Sequence, residues 1–139
     1  MLKDMVSTFG MLFILIGFLV AGALFIGMMG QWYALQNQAQ FIAVSQGKYG
    51  GYTEQADNAL KEFVQDMNLE PTKVDVYVSA PNSPVPWGTT VKAEVTNHFR
   101  FKVGTFLDIT TPIKLTGRGR AVSSYMPGTY TVTYTSPSY

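Results

Sequence analysis

His98 is the one histidine in this chain of 139 residues, and there is no cysteine. A metal site of the zinc type needs several clustered nitrogen, sulfur or carboxylate ligands, so no metal site is expected. Disulfides and thiolate nucleophiles are excluded outright. His98 stands next but one to Arg100 on the polar parity of "TVKAEVTNHFRFKV" (90–103), the place of a solvated surface residue. A serine triad would need it to meet a serine and a carboxylate, yet no G-x-S-x-G elbow is present. No G-x-x-x-x-G-K-[ST] phosphate loop occurs, and "GRGRAV" lacks the strand–turn–helix setting of a dinucleotide fingerprint. Asp57, Glu62, Asp66 and Glu70 recur along one segment and read as the wet side of a helix, not as an acid–base pair. These residues argue against an enzyme and against a cofactor.

One constellation remains. His98, Arg100, Lys102, Lys114, Arg118 and Arg120 occupy outward parities of two segments expected to be neighbouring strands, with Tyr77 and Tyr125 available for stacking. Such a face can hold nucleic acid through phosphate charge and base stacking. Asp75 and Glu94 share it, which favours an ordinary wet sheet face, or one that meets acidic residues of a neighbouring subunit. A formal net charge of +1 adds no pull toward a polyanion.

The elements that position these residues follow from periodicity. "TEQADNALKEFVQDMN" (53–68) places Ala56, Leu60, Phe63, Val64 and Met67 at helical spacing, with Lys61, Glu62, Gln65 and Asp66 elsewhere. Thr53 suits the N-cap, and Glu54 and Asp57 suit the first turn. Strict alternation then predicts strands. Val74, Val76, Val78 and Ala80 share one parity of 73–80. Val91, Ala93, Val95, Phe99, Phe101 and Val103 share one parity of 90–103. Ile113, Leu115 and Ala121 point inward along 113–126, and Tyr130, Val132 and Tyr134 alternate with threonines in 129–135. The last stretch carries no charge from Ala121 to Tyr139 and is expected to pair within its own sheet or with another subunit.

Before all of this comes a run without parallel elsewhere in the chain. Met5 to Gly30 is about 26 residues of apolar sequence, more than the roughly 20 that cross a bilayer. It exceeds the length of a secretory h-region and lacks a basic n-region, which favours a retained helix over a cleaved signal. It leads into "QWYALQNQAQFIAVSQ" (31–46), and no charge appears from residue 5 to residue 47, roughly 65 Å of helix. Trp32 and Tyr33 suit a membrane interface. Gly17 and Ala21, Ala23 and Gly27, and Gly30 and Ala34 are each four apart, the spacing that lets helix backbones approach closely. Phe41 continues the apolar stripe past them. Bundled copies would account for the missing charges, since an ion buried among sister helices costs several kcal/mol unless paired. Amides pack and hydrogen-bond without that penalty. The fold expected is α+β: residues 1–47 a long hydrophobic helix serving as membrane anchor or filament core, then 48–139 a small head. That head holds a short amphipathic helix and an antiparallel sheet of three to four strands. The part from Gly51 onward is expected to fold by itself, with the short helix and the end of the long one covering the sheet.

This layout, with "QAQFIAVSQGKYGGY" after the membrane-length helix and "VKAEVTNHFRF" and "IKLTGRGRAVSSYM" in the β region, resembles type IV-type pilins. It is most similar to the TadE-like pilin and pseudopilin group of tight-adherence systems. The nearest match to the acid those pilins carry early in the helix is Asp4. The resemblance implies a structural subunit held in the inner or cytoplasmic membrane, then assembled with itself into a cell-surface filament by dedicated secretion machinery. Adhesion, DNA uptake or transfer, or secretion would be its service. The alternative is a monomeric, single-pass anchored module whose head binds a glycan, nucleic acid or partner protein.

Overall fold

The computed structural model describes every residue except 101, 104–106, 109–111, 129 and 130, and for 102, 103, 107 and 108 it describes the backbone alone. Helix α1 runs from Leu2 to Tyr49 and is rich in Leu, Met, Ala and Gln, which lose little freedom in a helix. It stops at Gly50, whose φ of 80° is left-handed backbone that a Cβ disfavours. A side chain there would also collide with Tyr125.

Helix α2 spans Glu54–Asp66, and the Thr53 side chain accepts from the Ala56 N–H at 3.3 Å, as its N-cap position predicts. Its end is a Schellman turn: the Leu69 N–H donates to Val64 O at 2.9 Å and Asn68 N–H to Gln65 O at 3.0 Å. Asn68 takes the left-handed position at φ 52°, which asparagine tolerates better than most residues. Ala56, Leu60 and Val64 are buried at the expected spacing.

Strand β1 (Val74–Val78), β2 (Thr90–Phe99) and β5 (Ile113–Val122) form an antiparallel sheet in the order β1-β2-β5. Between them β3 (Lys102–Val103) and β4 (Leu107–Asp108) pair as a separate two-stranded ladder. The expected strand over 90–103 therefore ends at Phe99. The inward assignments of Phe101 and Val103 lie outside the described residues and side chains. Register is fixed by pairs such as Val76↔Val95 and Ala93↔Gly119. The inner parity is buried at Val74, Val78, Val91, Ala93, Val95 and Leu115. Ile113, expected inward, is partly exposed at the end of β5.

The final alternating segment corrects the reading of 129–135 as a strand. Residues 131–133 are irregular and Tyr134 makes one isolated bridge, to Thr53; Tyr130 lies outside the described residues. The tail crosses the turn between the helices instead. Glu54 N–H donates to Thr133 O at 2.9 Å, Thr135 N–H to Tyr52 O at 3.0 Å, and the Tyr134 hydroxyl to Tyr49 O at 2.6 Å.

The chain divides into two compact units, Met1–Gln31 and Trp32–Tyr139. The boundary expected at 47/48 thus moves back into α1. The reason is packing: Leu35, Ala39, Ile42, Ala43, Gln46 and Gly47 are buried core residues of the second unit. A head starting at Gly51 would lack that part of its core.

Candidate functional site

The first unit is a helix with its side chains open. Every residue from Met1 to Gln31 is exposed or half-buried, and among the described residues α1 is the one helix long and apolar enough to cross a membrane. The residues singled out for helix packing fall on it as follows. Gly17, Ala21, Ala23, Gly27 and Gly30 are exposed, and the space beside Gly17, Gly27 and Gly30 is empty to at least 4 Å. At about 100° per residue, Ala23, Gly27 and Gly30 lie within about 60° of one another, while Gly17 and Ala21 lie roughly 130° away. These are two small-residue stripes, so a helix packed on both would have two neighbours. Ala34 and Phe41 belong to the second unit, Ala34 half-buried and Phe41 half exposed.

The amide row has a use that periodicity does not show. Strand β5 is an edge strand, so its outward N–H and C=O groups need partners. Gln36 supplies both for Arg118: its Oε1 accepts from Arg118 N–H at 3.0 Å and its Nε2 donates to Arg118 O at 2.5 Å. Gln40, one turn on, does the same for Arg120 at 3.4 and 3.3 Å. Gln46, fully buried, accepts from Ala80 N–H at 3.2 Å and donates to Lys92 O at 3.1 Å. The expectation that these amides meet sister helices is corrected for all three, because each must donate and accept at once on its own sheet. The exposed residues Tyr33, Asn37, Phe41 and Val44 are not used in this way and are also uncharged.

Helix and strand come close enough for this because Gly117 and Gly119 carry no side chains. A Cβ on Gly117 would fall on the backbone of Leu35 and Gln36, and one on Gly119 on that of Ala39 and Gln40. The "GRGR" stretch thus has glycine toward the helix and arginine outward.

The register brings part of the basic constellation together. His98 pairs with Lys114, Glu94 with Arg118 and Lys92 with Arg120 across β2 and β5, all on the outer face. Arg118 Nε stands 3.3 Å from Glu94 Oε1, and the His98 ring Nδ1 is 3.0 Å from Lys73 O. Arg100 follows the end of β2, and the Lys102 side chain is not among those described. Tyr77 lies on this face, in the row of Glu94 and Arg118. Tyr125 does not: it packs against Gly50.

Asp57 overturns the reading of a wet helix carboxylate. It is 3% exposed, and it collects the Tyr52 hydroxyl (3.0 Å), the Ser138 N–H (2.9 Å), the Ser138 hydroxyl (2.7 Å) and Lys61 Nζ (3.1 Å). Burial pushes its carboxyl up, but the hydrogen bonds from Ser138, Lys61 and Tyr52 outweigh burial and hold it below the usual carboxylate range. Burial, with the Asp57 charge beside it, pushes the Tyr52 phenol far up. A group depressed in the folded state adds stability above its unfolded pKa and loses it as pH falls through the folded value. The melting temperature of the head is therefore expected to drop as pH falls below the usual carboxylate range of about 4 and on through the depressed folded value, and Asp57→Asn to flatten that drop in a pH series of thermal melts. An equal drop in the variant would remove Asp57 from the account.

No family model, curated protein or solved structure matches this chain. Among the described residues no three His, Asp or Glu side chains gather as a metal site would require. What the geometry offers is surface: an apolar helix with small-residue stripes, and a sheet face rich in cations.

Proposed function

We propose that this chain is a structural, non-enzymatic subunit of a pilus-like surface filament, assembled by bundling of its apolar helices. The observation that carries the reading is the exposed apolar helix of residues 2–31 with small residues on two sides. A lone anchor needs neither stripe, since lipid fills against any side chain, whereas a helix with several helical neighbours gains from both. The resemblance to type IV-type pilins of the TadE-like group agrees with this. It adds a period in the membrane before assembly, dedicated assembly machinery, and a service in adhesion, DNA uptake or transfer, or secretion.

A second reading, a monomeric anchored module that binds a ligand through its head, is favoured by one observation. Gln36, Gln40 and Gln46 find their partners within a single chain, so part of the uncharged row needs no neighbour.

Shearing cells and sedimenting the supernatant separates the two. The filament reading expects the chain in the pellet as fibres, and Gly27→Leu, which fills the stripe, to lower that pellet about tenfold or more, the equivalent of about 1.4 kcal/mol per contact. The variant should remain in the membrane with its head folded. A chain that stays wholly with membranes before and after substitution is the anchored module.

A further inference from the structure

We propose that the cationic outer face of the sheet in one copy docks the acidic side of α2 in a second copy, head to tail. This deepens the filament reading and rests on it. Lys92, Lys114 and Arg120 stand on that face with no carboxylate partner among the described residues, and Arg118, although bridged to Glu94, leaves its side chain 74% exposed. Tyr77, 57% exposed, stands in the same row. Arginine and tyrosine are the residues that anchor protein interfaces.

The complement is on α2. Glu54, Glu62 and Asp66 are exposed and bridged to no cation among the described residues, while Asp57 and Lys61 satisfy each other. Lys114 and Arg120 stand about 20 Å apart along the strand; on α2 Glu62 and Asp66 are one turn apart and share a side, about 6 Å apart along the axis, while Glu54 lies about 80° to 120° round the helix from them. Asp75 and Glu94 interrupt the cationic face, which sets it against a uniform polyanion such as nucleic acid and suits a partner with a few discrete carboxylates. Because the two surfaces differ, the contact is heterologous and can repeat without closing, as a filament requires.

Charge reversal and exchange in the full chain tests this. One variant carries Lys114→Glu and Arg120→Glu, the second Glu62→Lys and Asp66→Lys, the third all four. Two readings are taken: zero-length carbodiimide crosslinking of the chain in isolated membranes, and the sheared pellet. Wild type should give a ladder beyond dimer. Each reversal should cut it about tenfold, and the four-fold exchange should restore it. Circular dichroism confirms that each variant is folded. A ladder and pellet unchanged by both reversals overturn the docking and leave the filament reading standing. A ladder that responds as expected, with nothing in the pellet, overturns the filament reading and keeps the docking. Loss of binding to duplex DNA in the first variant, with the ladder intact, assigns the face to nucleic acid and overturns the docking.

Discussion

Gly117→Ala is expected to destabilise the head by about 3 kcal/mol, a large part of the 5–15 kcal/mol that holds a typical domain together. Propensity argues the other way. A glycine inside a strand costs chain entropy, and alanine there would ordinarily stabilise by about 0.4–1 kcal/mol. The sign reverses because the added carbon meets the Leu35 carbonyl and the Gln36 N–H, backbone atoms that no rotamer change can move. To admit it, α1 must lift from β5, and the lift breaks the bonds from Gln36 to Arg118. Thermal melts of the full chain in detergent micelles measure the effect. Gly22→Ala is the control, since nothing lies within 4 Å of that glycine. A Gly117→Ala melt equal to wild type would mean that helix and strand do not touch as described.

Gln46→Glu is the second large effect, about 3 kcal/mol of lost stability at pH 7. The replacement is nearly isosteric, so the loss is chemical. A carboxylate can still accept from Ala80 N–H, but it cannot donate to Lys92 O, and it places a charge at a position with no solvent exposure. Protonation restores the donor. Burial raises the new carboxyl above its unfolded value of about 4.3, so the variant should regain stability as pH falls through that raised value and lose it as pH rises. Melts at pH 5 and pH 8 test the sign: wild type should change little over that range, and the variant should be the more stable at pH 5. A variant equally stable at both would mean that Gln46 is not enclosed.

The same glutamine shows where sequence reading reaches its limit. The length of the uncharged apolar run was enough for α1, and period and parity for α2 and the three sheet strands, because each of these last buries one face and its pattern records which. The threonine cap of α2 was legible as well, since it is a local requirement, whereas α1 runs on through Gly47 to Tyr49, past the end expected at 47. Period and parity did not separate amides that serve β5 from amides that serve a neighbour, because the partner of Gln36 lies 82 residues away. Asp57 misled for a related reason: an acid in a first helical turn is ordinarily a dipole partner in water, and here Ser138 of the returning tail, 81 residues on, bonds both of its oxygens. The Tyr/Thr alternation of 129–135 suggested a strand, yet the bonds formed by the described part of that segment go to the turn between the helices. The period-two pattern of "GRGR" was the overlooked signal. Glycine on the inner parity of an otherwise regular strand marks a place where another backbone must come near. Of the candidate surface, the cations on β2 and β5 were placed together by parity alone, whereas the intervening Glu94–Arg118 bridge required the register.

The glutamine caps on β5 bear also on life at high local density. Chains concentrated in a bilayer or polymer present their sheet borders to one another, and a bare border recruits foreign strands into cross-β stacks. At Arg118 and Arg120 the recruiting groups are already occupied by the chain's own first helix. Neutral amides achieve this without adding charge to the helix, so on that border the molecule resists amyloid-type fusion.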